Sequence, residues 1–148
     1  MKINYITGDF AVAPQVNIAD IKQIKQCGFN SIICNRPDHE ESGQPEYQDI
    51  KKEALKQGIK FEFLPLINTQ VNDDEIYLFE QLIAKLPEPV LAYCRTGTRS
   101  ATLWAYSQAN HISLAEIANK TKLAGYDMSE VIQVINNRKR LTSSKHHS

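Results

Sequence analysis

Cys94 opens the segment Cys94-Arg95-Thr96-Gly97-Thr98-Arg99-Ser100, in which one thiol is followed by two arginines, two threonines, a serine and a glycine. These residue types at this spacing can build a reactive thiolate inside a cradle for an anion. A free thiol titrates near about 8.5, so little thiolate exists at neutral pH without help. Several features are expected to supply that help. A helix starting near Ser100 directs its positive end at Cys94. The backbone N–H groups from Arg95 to Ser100 can converge on one point as an anion nest. Arg99 carries a permanent charge able to hold two oxygens at once. Gly97 admits backbone angles closed to other residues. Ser100 is expected to cap the helix and to donate a hydrogen bond to the sulfur. A small buried cysteine ahead of an ordinary strand–loop–helix turn is the plainer alternative. It leaves Gly97, Arg99 and Ser100 without a reason to stand where they do. Cys94, Arg99 and Ser100 therefore read as catalytic, and Arg95, Thr96, Gly97 and Thr98 as the anion-binding loop.

The elements that must position this loop are legible around it. Pro89-Val90-Leu91-Ala92-Tyr93 reads as a buried strand before it, and Ser100 to Ala109 as a helix after it. Upstream, Tyr5-Ile6-Thr7 and Phe10-Ala11-Val12 flank Gly8-Asp9, a hairpin signal. Asn17 caps a helix striped by Ile18, Ile21 and Ile24, and Gly28 stops it. Ser31 to Cys34 and Lys60 to Leu64 read as strands, with a helix from Tyr47 to Gln57 between them. Asn72-Asp73-Asp74-Glu75 is a cap followed by first-turn acids, ahead of the stripe Ile76, Phe79, Leu82, Ile83 and Leu86. Ser113 caps a helix over Leu114 to Ala124, and Asp127 with Glu130 predicts a last one near Met128 to Asn137. Strands alternating with helices predict an α/β three-layer sandwich around a central, largely parallel sheet. Ligands of such sheets sit beyond the carboxyl ends of the strands. That gathers Asn35-Arg36, Pro65-Leu66 and the Cys94 loop at one edge.

The chain has 148 residues, enough for one core, so residues 1–140 read as a single catalytic domain and 141–148 as a flexible tail. Lys+Arg and Asp+Glu number 17 each, which lacks the basic excess of a nucleic-acid binder. No apolar run approaches a membrane span. Met1 to Asp9 carries no signal-peptide run, so the sequence reads as cytoplasmic. The three cysteines, Cys27, Cys34 and Cys94, form neither a metal-ligand spacing nor a redox pair. His146 and His147 stand in the tail without partner ligands, so neither metal nor other cofactor is expected.

The loop resembles two signatures. Cysteine-dependent protein phosphatases carry His-Cys-x5-Arg-Ser/Thr between a strand and a helix, and rhodanese-type sulfurtransferases a shorter Cys-Arg-x-Gly loop. Here Arg99 stands five positions after Cys94, where the phosphatase spacing is six, and Tyr93 replaces the histidine. Wider similarity comes from Asn35-Arg36-Pro37-Asp38, Glu41 to Pro45, Tyr93 to Trp104, and Ala124-Gly125-Tyr126-Asp127. Together these resemble the bacterial beta-lactamase-hydrolase-like, protein-phosphatase-like domain family, over roughly residues 3 to 135. The resemblance implies a fold like that of dual-specificity phosphatases. Family members have been labelled both phosphatases and sulfurtransferases, and some are fused to a metallo-hydrolase domain that handles persulfides. Such a metallo-hydrolase is thus an implied partner, beside a small anionic or persulfide substrate, a phosphoester or a phosphoprotein.

Between the reactions, the residues favour sulfur transfer. A phosphatase needs a proton donor for its leaving group. Related phosphatases take it from an aspartate in the loop matching Leu66 to Val71, which holds no acid here. Asp73 and Asp74 are first-turn helix acids. Asp38 can reach the site as acid, or pair with Arg36. Arg36 can bind substrate, or pair with Asp38 or Glu40. A rhodanese-type enzyme carrying a Cys94 persulfide needs no acid, and its single outer sulfur suits the shorter loop. Phosphomonoester hydrolysis through a Cys94 thiophosphate is the alternative. A third reading is an anion-binding or sulfur-carrier module without turnover. Cys34 reads as structural before it reads as a resolving thiol, and Cys27, Trp104 and Tyr106 read as packing. Tyr126-Asp127 is a segment that can line the pocket.

Overall fold

The computed structural model describes residues 1–146, and for residues 142–146 their backbone alone. The hairpin signal at Gly8-Asp9 yields β1 (Asn4–Tyr5) and β2 (Phe10–Ala13), paired antiparallel. A 3-10 turn (Ile18–Asp20) leads into α1 (Ile21–Gln26). Then follow β3 (Ser31–Cys34), α2 (Tyr47–Lys56) and β4 (Lys60–Phe63). The chain continues through α3 (Asp73–Lys85), β5 (Val90–Tyr93), α4 (Thr98–Ser107), α5 (Leu114–Leu123) and α6 (Ser129–His146). The five strands form one sheet in the order β1-β2-β5-β3-β4, parallel except at β1.

The period of two along β5 sends its side chains to two cores. Val90 and Ala92 join Phe79, Leu103, Ile117 and Ile135 under α3 to α6. Leu91 and Tyr93 join Ile21, Ile24, Ile50 and Ala54 under α1 and α2. Covering both faces explains why the parallel strands are continuously apolar. The expected α/β architecture is the observed one.

Local signals fixed most helix starts. Asn72 accepts from the Glu75 N–H at 2.8 Å while Glu75 accepts from the Asn72 N–H at 3.0 Å, a capping box worth about 1 kcal/mol. Ser113 accepts from the Glu116 N–H at 3.1 Å. Two of the boundaries that differ from expectation belong to α4 and α6. α4 starts at Thr98, two residues before Ser100, because Gly97 at φ 95° turns the chain into the helix there. α6 runs on to His146, past the Asn137 that the pattern suggested. The proposed tail histidine His147 lies outside the described residues, as does Ser148.

The parallel register aligns Ala13, Cys34 and Phe63 with one another through Tyr93 and β3, so all four parallel strands end at one edge. The three segments expected at that edge are there. A fourth joins them: Gln15, just beyond β2, whose N–H donates to the Arg95 carbonyl at 3.3 Å. No helix among the described residues is long and apolar enough to cross a membrane.

Candidate active site

Cys94 leaves β5 and sits at the floor of the loop, only 1% exposed. The Gly97 N–H donates to its sulfur at 3.1 Å. Gly97 is also the residue that precedes α4, so the sulfur faces the positive end of that helix. The first-turn N–H groups of Thr98, Arg99 and Ser100 have no partner within the helix, and that of Thr98 donates to the Thr96 hydroxyl at 3.4 Å. Thr96 and Thr98 bond to each other through their hydroxyls at 2.9 Å, which stiffens the outer rim. Arg95 is exposed at the mouth.

Ser100 has another job than the expected one. It lies inside the first turn of α4, not at the cap. Its hydroxyl donates to Asn35 Oδ1 at 2.8 Å, not to the sulfur. Asn35, fully buried, in turn donates from Nδ2 to the Leu64 carbonyl at 2.8 Å. Ser100 thus ties α4 to the ends of β3 and β4.

Arg99 turns into the site. Its Nη1 donates to Glu40 Oε2 at 2.7 Å and to the Leu66 carbonyl at 2.7 Å, and its Nη2 donates to Glu40 Oε1 at 2.7 Å. The bond to Glu40 is the main cause that raises the Arg99 pKa, and the neighbouring Cys94 adds to it against the cost of burial. Glu40 is pulled down to about 2, first by the Arg99 hydrogen bond and, against some desolvation, by Arg36. A depressed carboxylate contributes stability above its unfolded value and loses it as pH falls through the folded value. The Glu40 pair is therefore intact across the neutral range and breaks only near pH 2. Arg36 is buried, 1% exposed, and its guanidinium is taken up by protein partners. Of the two partners weighed for it, the structure selects Glu40, at 2.8 Å, and adds Glu41 at 3.0 Å and Gln15 at 2.9 Å. Asp38 is not its partner: its carboxylate accepts from the Tyr47 N–H at 2.9 Å and holds the start of α2. Asp73 is 96% exposed beside Arg138 at 3.7 Å, a helix-start acid as expected.

Tyr126 does reach the loop. Its hydroxyl donates to the Thr96 carbonyl at 3.1 Å and accepts from Asn4 Nδ2 at 2.9 Å. Burial raises its pKa, Asn4 offsets part of that, and the Cys94 charge adds to it. Asp127 faces solvent and bonds to Ser129 at the start of α6. Trp104 and Tyr106 are core residues of α4. Cys27 is exposed at the end of α1. Among the described residues no group of three His, Cys, Asp or Glu is placed to hold a metal ion.

Cys34 packs in the core under α1 and α2, where its thiol donates to the Arg36 carbonyl at 3.3 Å. Burial pushes its pKa up to about 11, more than the neighbouring hydrogen bonds lower it. Below that pH the thiol stays neutral and is a poor nucleophile. Peptide-resolved labelling of the native protein with iodoacetamide at about pH 7.5 should therefore modify exposed Cys27 and spare Cys34. Rapid labelling of Cys34 under those conditions would contradict its structural role.

The family model for the phosphatase-like domain of beta-lactamase hydrolase-like proteins matches residues 2–111. The beta-lactamase hydrolase-like protein of Agrobacterium fabrum is 35% identical over 130 residues, covering 86% of this chain and 30% of that protein. The chain thus spans under a third of the length of the curated relatives it matches. A candidate phosphatase from Neisseria meningitidis superimposes with a TM-score of 0.84 at 35% identity, covering 93% of this chain and 98% of that one. The core catalytic domain of a PP-IP phosphatase from S. cerevisiae gives 0.67 at 15% identity over 97% and 92% of the two chains, a likeness of fold alone.

Proposed function

The chain belongs to the beta-lactamase hydrolase-like, phosphatase-like domain family, and we propose that it is a cysteine-dependent phosphatase acting on phosphomonoesters. The observation that carries this reading is the setting of Cys94: its sulfur at the start of α4, with Arg99 turned in beside it. Two N–H groups of Arg99, on Nε and Nη2, take no part in its bonds to Glu40 and Leu66. They form one edge that suits two oxygens of a phosphoryl group. The Cys94 thiolate attacks phosphorus, the S–P bond forms, and the P–O bond to the leaving group breaks with its electron pair on that oxygen, which takes a proton from water as it departs. Arg99 and the first-turn N–H groups of α4 hold the remaining oxygens as charge shifts. Water then cleaves the thiophosphate to release inorganic phosphate and the free thiol. The 35% identical Neisseria structure supports this reading over the sulfur transfer that loop length favours.

Sulfur transfer keeps one observation on its side. Arg99 follows Cys94 at five positions, and Leu66 to Val71 supplies no acid. In that reading Cys94 takes the outer sulfur of a persulfide or thiosulfate, the donor leaving as thiolate or sulfite, and a persulfide-handling metallo-hydrolase is the partner. One paired assay separates the two. Wild-type protein is given an aryl phosphate, and in parallel glutathione persulfide, followed by intact mass measurement. The expected outcome is phosphate release that depends on Cys94. A stably added sulfur atom on Cys94 without phosphate release would overturn the phosphatase reading. Phosphate binding without either reaction would leave a binding module.

A further inference from the structure

The edge that Arg99 offers to an anion is set by a chain of contacts behind it. A guanidinium has five N–H bonds in a fixed plane. Three of those on Arg99 are spent: two on the Glu40 carboxylate and one on the Leu66 carbonyl. What remains is the Nε–H and one Nη2–H, on the edge away from Leu66. Glu40 is held in turn. Its Oε1 accepts from Arg36 Nε at 2.8 Å as well as from Arg99. Its backbone N–H donates to Gln44 Oε1 at 3.0 Å, and Gln44 donates back to the Pro37 carbonyl at 2.9 Å. His39 stands at φ 65°, an uncommon conformation for a side-chain-bearing residue, and turns the loop just before Glu40. Arg36 spends all three nitrogens on Glu40, Gln15 and Glu41 while almost wholly buried. Gln15, finally, donates its N–H to the carbonyl of Arg95, at the other end of the cysteine loop.

We propose that Glu40 is a positioning residue for anion recognition: braced by buried Arg36, it locks Arg99 with its Nε–Nη2 edge toward Cys94, and Gln15 ties the same brace to Arg95. A cluster so arranged sets two arginines against Glu40 and Glu41, so the neighbourhood carries little excess charge. Recognition then rests on the direction of one edge of Arg99. The inference rests on the phosphatase reading above, and it names what tunes that site. It also separates Glu40 from two other roles a carboxylate can have there: a plug that competes with the substrate, and a proton donor to the leaving group.

The test is Glu40→Gln, with Glu40→Asp as the conservative partner. Both are compared with wild type in aryl-phosphate kinetics across pH, inorganic phosphate binding by calorimetry, and thermal unfolding. Glutamine keeps one acceptor but sets an amide N–H against Arg99, so the fork is lost. The expected result is a fall in kcat/KM of about 100-fold, carried mainly by kcat, as for a misplaced catalytic group. Phosphate affinity should weaken about tenfold. The pH profile should keep its shape and drop in height, and Glu40→Asp should recover part of the loss. Tighter phosphate binding by Glu40→Gln would make Glu40 a plug and overturn the proposal. Loss of one limb of the pH profile would make it a proton donor and overturn it equally. Wild-type kinetics in a folded Glu40→Gln protein would overturn this inference and leave the phosphatase reading standing. A wild type that neither binds phosphate nor turns over aryl phosphate would overturn both. Should Glu40→Gln fail to fold, Gln15→Leu takes its place. It removes the Arg36 acceptor while keeping the backbone bond to Arg95, and unaltered kcat/KM in it would count against the brace.

Discussion

Replacing Cys94 by serine is expected to lower turnover of an aryl phosphate by about 10⁴-fold or more, the scale on which loss of a nucleophile is felt. The fold should survive, because the Gly97 N–H that donates to the sulfur at 3.1 Å can donate equally to a hydroxyl, and so can the neighbouring Arg99. A serine hydroxyl at this site has no base beside it. Glu40, the carboxylate bonded to Arg99, is committed to Arg99 and Arg36 and stays deprotonated above about pH 2. Nothing in the loop can then take the hydroxyl proton, whereas a thiol ionises by itself. Arg99 and the α4 N–H groups are untouched, so phosphate should bind Cys94→Ser within a few-fold of wild type. Steady-state kinetics, calorimetry with phosphate and a melting curve measure the three parts. Unchanged turnover in Cys94→Ser would remove Cys94 from the mechanism. Loss of phosphate binding together with turnover would mean that the substitution disturbed the loop, and intact melting would place that disturbance at the site.

What the chain discloses about itself divides by distance along it. The capping box at Asn72 and Glu75, the turn at Gly97 and the strand before Cys94 are short-range patterns, and each stands where the pattern put it. The cysteine loop is of this kind, with all its members within seven consecutive residues. The direction of a side chain is not. Ser100 meets Asn35 from 65 positions away, and Arg99 meets Glu40 from 59. Local spacing pairs Ser100 with the sulfur, six positions away, and carries no trace of Asn35. Glu40 was visible as a neighbour of Arg36, by the four-residue spacing between them, yet its tie to the cysteine loop depends on β3 lying beside β5. The place of Gln15 at the site is not legible in the hairpin signal, which speaks for β1 and β2 alone. Nothing in it said that β2 also runs parallel to β5 and brings its end to the site. The ranking of reactions shows the same division. Counting residues between Cys94 and Arg99 pointed to sulfur, whereas the whole-chain likeness to the Neisseria phosphatase candidate weighs on the other side.

Gly97→Ala is expected to damage both stability and activity, for two separable reasons. Gly97 sits at φ 95°, where a side chain costs about 1–2 kcal/mol. A methyl group there would also overlap the Tyr126 hydroxyl oxygen and lie 2.9 Å from the ring carbon that bears it. The ring cannot swing aside cheaply, because its hydroxyl is bonded both to the Thr96 carbonyl and to Asn4. The loop must yield instead, and it is the Gly97 N–H that contacts the Cys94 sulfur. The expected outcome is a destabilisation of about 2–4 kcal/mol, combining backbone strain with overpacking. A loss of about 100-fold in kcat/KM should accompany it as the sulfur and the helix end fall out of alignment. Adding Tyr126→Phe separates the causes. It removes the overlapping oxygen and leaves the φ penalty, so the double variant should regain part of the stability that Gly97→Ala lost. Tyr126→Phe alone should cost about 1 kcal/mol for its two hydrogen bonds. Calorimetric unfolding of the four proteins closes the cycle. Equal stability of Gly97→Ala and wild type, or no coupling between positions 97 and 126, would show that the loop does not depend on the close approach of Tyr126.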